Sequence, residues 1–448
     1  MYTNNIRIGV CGNVDAGKST LISVLCNDEL DDGKGSARIK ILRTLHEKTT
    51  GRTSNVSFNY LHYDNKTCTL VDLAGHEKYL KTTLYGITGS ELHYGLVIVG
   101  ANMGINKMTK EHLAILLFLR IPIIVVITKI DMCPVEVYDK TKREITNILK
   151  QPIFRSIPQL LNDEIKIKDY IDKIVNDFES IKHIIPIIPL SSRTGENIEN
   201  LKKIIEVLPN NIIKNKYENL IDHPIIASSK IDNNLNIPLK IETIGAVVYI
   251  ESVYHVKGIG LVVTGYIMGG KNDNSININQ TLYLGPISIN ASNQFIELKV
   301  RSMHDTKRQN INKTYAGDHV IMAIKPDNKF KLERHHFYKG IIALTNLDDK
   351  KYLTSTIKVQ LKILNNKIIV KKNYCPVIHC HTIRQSAIVV DVLTNDNMAL
   401  TGQNIPVILK MLKHPIFVKP GDIIYIRDGV TKGIGIITET ISANELQI

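Results

Sequence analysis

The chain has 448 residues, 44% of them hydrophobic and 22% charged, with a formal net charge of +13. This length supports two to four domains with cores of their own and excludes a peptide-scale binder, and no apolar run approaches the ~20 residues that cross a bilayer. The six cysteines are scattered without a pairing pattern and no secretory leader is evident, so a cytoplasmic, reducing compartment is expected.

The first predicted element is a strand at residues 6–11 (IRIGVC), and the helical stretch STLISVLC after it sets Leu21, Val24 and Leu25 on one face. Between them lies GNVDAGKST, Gly12 to Thr20. Its Gly12, Gly17, Lys18 and Ser19 fit the template of a glycine, four residues, then Gly-Lys-Ser or Thr. A strand, a glycine loop and a helix in that order surround a polyphosphate with backbone N–H groups and the positive end of a helix dipole. Gly12, Asn13, Val14, Asp15, Ala16, Gly17 and Thr20 form the cradle, Lys18 reaches the outer phosphates, and Ser19 offers a hydroxyl to Mg²⁺. A nucleoside triphosphate is the expected ligand.

TTGRTSN, residues 49–55, comes next. A triphosphate switch needs a segment whose hydroxyl and backbone sense Mg²⁺ and the γ-phosphate, and which loosens once that phosphate leaves. Thr53 is the candidate, with Thr49, Thr50 and Ser54 left open by residue chemistry. A strand over residues 67–73 then runs into DLAGH, which is Asp72, Leu73, Ala74, Gly75 and His76. There Asp72 holds Mg²⁺ through water and the Gly75 N–H meets the γ-phosphate. The His76 imidazole can orient a water in line with that phosphate or stabilise charge as the bond breaks; a histidine packed within its loop is the alternative.

The strand IPIIVVIT delivers TKID, in which the Asp131 carboxylate accepts from the N1–H and 2-amino group of guanine, a donor pair that adenine lacks. Lys129 lays its stem over the base, with Thr128 beside it at the strand end. After the strand IIPIIPL, the loop SSRTGEN brings Ser191, Ser192 and Arg193 towards the guanine oxygen. Singly, such motifs are common turns. In this order, each at the carboxyl end of a strand where open α/β sheets bind ligands, they select a guanine nucleotide.

Short β-rich runs alternate with amphipathic ones such as ENLKKIIEVL up to about residue 209, which predicts a mostly parallel sheet covered by helices. The expected plan is an α/β P-loop GTPase domain (1–225), an Asn-rich linker (226–243) and two all-β barrel domains, at 244–330 and 331–448. The barrels are read from short glycine-punctuated strands, AVVYIESVYHV to HVIMAIK in the first and GIIALTN onward in the second. Residues 331–448 hold 16 Lys/Arg against 9 Asp/Glu, which suits a polyanion such as RNA, although a lysine-rich surface from an AT-rich genome gives the same balance. Within CPVIHCH, strand alternation puts His379 and His381 on one face and Cys380 on the other, with Cys375 upstream, so no zinc site is expected there.

The combination of GNVDAGKST, GRTS, DLAGHEKYLKTT and TKIDMCP resembles the translational GTPases, the superfamily of elongation factor Tu and elongation factor one alpha. ELDDGKGSARIKILRTLHEKTTGRTSNV narrows the resemblance to the eukaryotic GTP-binding protein one and two group. HVKGIGLVVTG resembles the opening of the superfamily's second domain, and YCPVIHCHTIRQSA and IYIRDGVTKGIGII resemble third-domain strands. The resemblance implies that Thr53 is the sensing threonine and an Mg²⁺ ligand with Ser19 and Asp72, and that His76 positions the attacking water. Val14 matches one half of the hydrophobic pair that screens this histidine in the elongation factors, but Arg52 stands where they carry isoleucine. Asp15 matches a carboxylate that can recruit a monovalent cation, with a turn-stabilising role as the alternative.

The resemblance further implies GTP hydrolysis stimulated by the ribosome and GTP-dependent delivery of aminoacyl-tRNA, whose acylated end lies between the first two domains. A monomer without membrane or DNA partners is expected. A GTP-regulated adaptor in mRNA decay or ribosome quality control, and a metabolic GTPase coupled to sulfate activation, share the same plan.

Overall fold

The structure, a computed structural model, describes residues 4–42, 55–151, 154, 156–181, 183–210, 243–272, 274–289, 292–326, 331–365, 369–394, 396–400, 402–428 and 431–441. They fall into two compact units, one ending at residue 210 and one starting at residue 243.

The first unit is built on seven strands: β1 (Ile6–Gly12), β2 (Ser57–His62), β3 (Thr67–Asp72), β4 (Tyr94–Gly100), β5 (Ile123–Thr128), β6 (Ile157–Leu160) and β7 (Ile184–Pro189). Their order is β2-β3-β1-β4-β5-β7-β6, parallel throughout except for β2, which runs antiparallel to β3. Strands covered by helices on both faces are buried on both faces, which is why β1, β4 and β5 read as unbroken apolar runs. One face packs against helix α1 (Lys18–Asn27) through Leu21, Ile22 and Leu25 and against the helix Ile198–Val207 through Leu201, Ile204 and Ile205, all buried. The apolar spacing in the sequence predicts both helices.

Register sets the site. Val10 pairs with Asp72, Gly12 with Ile98, and Gly100 with Thr128, so β1, β3, β4 and β5 end side by side at one edge of the sheet. The loops carrying Gly12 to Thr20, Asp72 to His76 and Thr128 to Asp131 therefore leave from adjacent strand ends.

The second unit contains two closed barrels. In the first, strands Thr281–Ile289, Ile342–Leu344, Val247–Val256, Gly260–Met268, His319–Pro326 and Ser292–His304 pair in that order, and the last pairs back with the first. The second barrel joins Thr356–Asn365, Asn404–Met411, Ile383–Val392, Val377–Cys380, Ile423–Asp428 and Thr431–Ile441. Alternation along the strands fills each interior, with Val248, Val263, Leu298 and Met322 in one and Val359, Val389, Val407 and Ile426 in the other.

One strand is grouped differently from the sequence reading: GIIALTN supplies Ile342–Leu344 to the first barrel, so that barrel's strands reach past residue 330. A short alternating strand shows which face is buried but not which edge it joins. The barrels meet through Val247, Tyr249, Leu344 and Phe417, with the Tyr249 and His381 rings 4.9 Å apart. Among the described residues no helix is long and apolar enough to cross a membrane.

Candidate nucleotide-binding site

Gly12 leaves β1 at φ 147°, where a Cβ would lie 2.3 Å from the Ile98 carbonyl oxygen, so only glycine lets the loop turn against β4. Gly17 follows at φ 88° and starts α1 without a side-chain cap, leaving the first-turn N–H groups of the helix facing the loop. Lys18 is buried and its Nζ donates to the Asn13 carbonyl at 2.7 Å. Burial lowers the Lys18 pKa, against the opposing pull of Asp72, Cys11 and Asp15.

The Ser19 hydroxyl donates to Asp72 Oδ2 at 2.9 Å. Asp72 is 1% exposed, so a hydroxyl and a buried carboxylate stand together beside the phosphate loop. This is an all-oxygen donor set, which fits Mg²⁺. Beyond Asp72, Leu73 and Ala74 are buried and the Thr83 hydroxyl holds the Ala74 carbonyl at 2.6 Å. The backbone of Gly75 lies so close to the phosphate loop that a Cβ would sit 2.5 Å from Lys18 Nζ and 2.7 Å from the Asn13 carbonyl carbon. His76 is half-buried, and its Nδ1 accepts the Lys78 backbone N–H at 3.1 Å. Arg52, Thr53 and the alternatives Thr49, Thr50 and Ser54 lie outside the described residues.

At the other end of the site, the Thr128 hydroxyl donates to the Ala16 carbonyl at 2.6 Å and Lys129 Nζ to the Asp15 carbonyl at 2.7 Å, tying the β5 loop to the phosphate loop. Ser191 is fully buried. Its hydroxyl donates to Asp131 Oδ1 at 2.7 Å and accepts the backbone N–H groups of Arg193 and Thr194. These contacts fill the donor and acceptor capacity of one hydroxyl, so Ser191 orients Asp131, while Ser192 and Arg193 line the cavity beside it.

One cavity runs between Gly17 and Thr20 at the phosphate loop and Lys129, Asp131, Ser192 and Arg193 at the other end. Its opposite wall is the segment Asp31, Gly33, Lys34, Gly35 and Arg38, to which the sequence reading assigns no role. The signal lay in DDGKGS, where two glycines and two aspartates mark a turn.

Three features lie outside that cavity. His112, on the helix Lys107–Phe118, is fully buried, and neither ring nitrogen meets a hydrogen-bond partner among the described residues. Burial, with a smaller push from Lys18, takes its pKa down to about 3. In CPVIHCH the strand ends at Cys380 and His381 turns at φ 46°, so alternation stops there. Cys380 and His381 therefore come together with Asp422, within 4.8 Å, in a group containing neither Cys375 nor His379. His381 Nε2 and Asp422 Oδ1, both buried, lie 3.2 Å apart, and the Lys419 N–H donates to the other oxygen of the same carboxylate. Finally, the first barrel carries a cavity lined by aromatic Tyr254, Phe337 and Tyr338 and basic Arg334 and Lys339.

Fold and site define a P-loop protein that binds GTP and GDP with Mg²⁺, followed by two β-barrels. Residues 3–211 match the family described as the elongation factor Tu GTP binding domain. The chain is 32% identical to GTP-binding protein 1 of Xenopus laevis, over 98% of this chain and 64% of that protein. It is 30% identical to GTP-binding protein 2 of Homo sapiens, over 99% of this chain and 71% of that one. It thus spans about two thirds of these relatives' length. The solved structure of translation elongation factor SelB from Methanococcus maripaludis, in complex with a GTP analogue, shares the fold with a TM-score of 0.63 at 21% identity, covering 100% of this chain and 82% of that one. The chain belongs to the GTP-binding protein 1 and 2 group of the translational GTPases.

Proposed function

We propose that the protein is a GTP-hydrolysing switch that holds aminoacyl-tRNA in its GTP form and releases it at the ribosome on hydrolysis. The observation that carries the switch is the Ser19–Asp72 contact beside buried Lys18, in the unit where Ser191 aims Asp131 along the same nucleotide cavity. In this reading Lys18 neutralises the outer phosphates, Asp131 reads guanine, and Lys129 covers the base. Ser19 and Asp72, with Thr53 as the third expected ligand, would hold Mg²⁺, which would supply positive charge against the phosphate oxygens. Gly75 senses the γ-phosphate through its N–H, and its position against Lys18 couples that contact to the His76 turn.

The hydrogen bond from Lys78 makes Nδ1 of His76 an acceptor, which places the imidazole proton on Nε2. His76 then acts as a donor that orients water or steadies the phosphoryl oxygens, and it does not abstract a proton. Turnover is slow until a partner fixes that turn, as in other switch GTPases.

Delivery of tRNA is supported by the family resemblance and by the barrel cavity, where aromatic faces can stack a terminal base and Arg334 and Lys339 can meet its phosphate. The test is single-turnover GTP hydrolysis with ribosomes. His76→Ala should keep GTP affinity and lower the stimulated rate by roughly 10²-fold or more. Equal stimulated rates in variant and parent would remove His76 from the mechanism.

A further inference from the structure

The loop Asp31 to Arg38 is anchored at both ends of the nucleotide cavity. The Asp31 N–H donates to the Ser192 carbonyl at 2.9 Å beside the base end, and the Ala37 carbonyl accepts the hydroxyl of Ser23, on α1, at 2.6 Å. Gly33 sits against Arg193, where a Cβ would be 3.4 Å from its side chain. The loop's own negative charges are engaged: Asp31 accepts the N–H groups of Gly33, Gly35 and Ala37, and Asp32 those of Lys34 and Ser36. Its cations are not. Lys34 and Arg38 line the cavity and make no ion pair with a described residue.

In a guanine nucleotide, the atoms between the base at Asp131 and the phosphates at Gly17 are the ribose and the α-phosphate. An anion on that span faces two uncommitted cations on a loop already ordered by its aspartates. Resting on the guanine-nucleotide reading of this cavity, we infer that Lys34 and Arg38 clamp the ribose and α-phosphate of the bound nucleotide. These groups are common to GDP and GTP. The clamp therefore slows loss of both nucleotides alike and takes no part in telling them apart, unlike Gly75 and Thr53.

The test is the dissociation rate of fluorescent GDP and of a fluorescent non-hydrolysable GTP analogue from the full chain. Lys34→Ala/Arg38→Ala should raise both rates by a similar factor, on the order of tenfold, and flatten their dependence on salt. Because Arg38 folds over Gly35, its loss can disturb the loop. Lys34→Glu alters one exposed charge and should speed release of both nucleotides more than Lys34→Ala does. Unchanged GDP release in the double variant and in Lys34→Glu overturns the clamp, as does an effect confined to the GTP analogue. If the unmodified chain retains no GDP while Lys18→Ala behaves identically, the nucleotide reading itself fails and the clamp with it.

Discussion

Replacing Ser191 by alanine removes one oxygen and breaks three hydrogen bonds, the one to Asp131 Oδ1 at 2.7 Å and those from Arg193 N at 3.2 Å and Thr194 N at 3.1 Å. A hydrogen bond to a charged group contributes about 1.5–3 kcal/mol, and each deprived backbone amide costs about 1 kcal/mol where water cannot replace the partner. The amide terms belong to folding in either ligand state, since the loop exists with or without nucleotide. The Asp131 term belongs to recognition, because an unguided carboxylate must be fixed by the ligand itself. Ser191→Ala should therefore weaken GDP binding by roughly 10- to 100-fold. It should weaken inosine diphosphate binding less, since that base lacks the 2-amino group that Asp131 would accept. Titration of fluorescent nucleotides gives the affinities, and thermal unfolding gives the stability. A variant that melts lower yet keeps the full preference for GDP over inosine diphosphate would refute the orienting role of Ser191.

Asp131→Asn should exchange the guanine acceptor for an amide donor and move preference towards xanthine nucleotides; unchanged GTP affinity would remove Asp131 from base recognition. His112 supplies a pH dependence. Its folded pKa of about 3 lies below the ordinary 6.5, so the unfolded chain takes up the proton first. Stability from this group is complete above about pH 6.5 and falls by about 1.4 kcal/mol per unit as pH drops towards 3. His112→Leu should flatten the stability profile by close to one proton over that interval in chemical denaturation, and parallel profiles would show that His112 does not titrate on unfolding.

The phosphate loop, DLAGH and TKID are legible because each keeps a fixed offset from the end of a parallel strand. The strands themselves announce their positions by apolar runs that helices cover on both faces. The wall formed by Asp31 to Arg38 was not legible in that way. Its aspartates and glycines mark a turn, but where the turn lies is shown by the Asp31–Ser192 contact, across 161 positions of chain, and the Ser23–Ala37 contact. Sequence reads Ser191, Ser192 and Arg193 together as a loop closing on the guanine oxygen; the contact it does not reveal is the buried Ser191 hydroxyl's hydrogen bond to Asp131, because that pairing spans 60 positions of chain. Likewise, alternation along Val377–Cys380 ends at a left-handed residue, His381, which brings Cys380 and His381 to Asp422. For Ile342–Leu344 the buried face was readable but the partner edge was not, because pairing depends on ring closure across nearly 100 residues.

The central claim is that GTP licenses this chain to hold aminoacyl-tRNA. Its most direct test is the lifetime of the aminoacyl ester in solution with saturating protein, compared between a non-hydrolysable GTP analogue and GDP. The account predicts a longer-lived ester with the analogue and ordinary hydrolysis with GDP. Equal ester lifetimes in both states, with binding of both nucleotides confirmed, would contradict it and favour a GTP-regulated adaptor that binds protein partners instead.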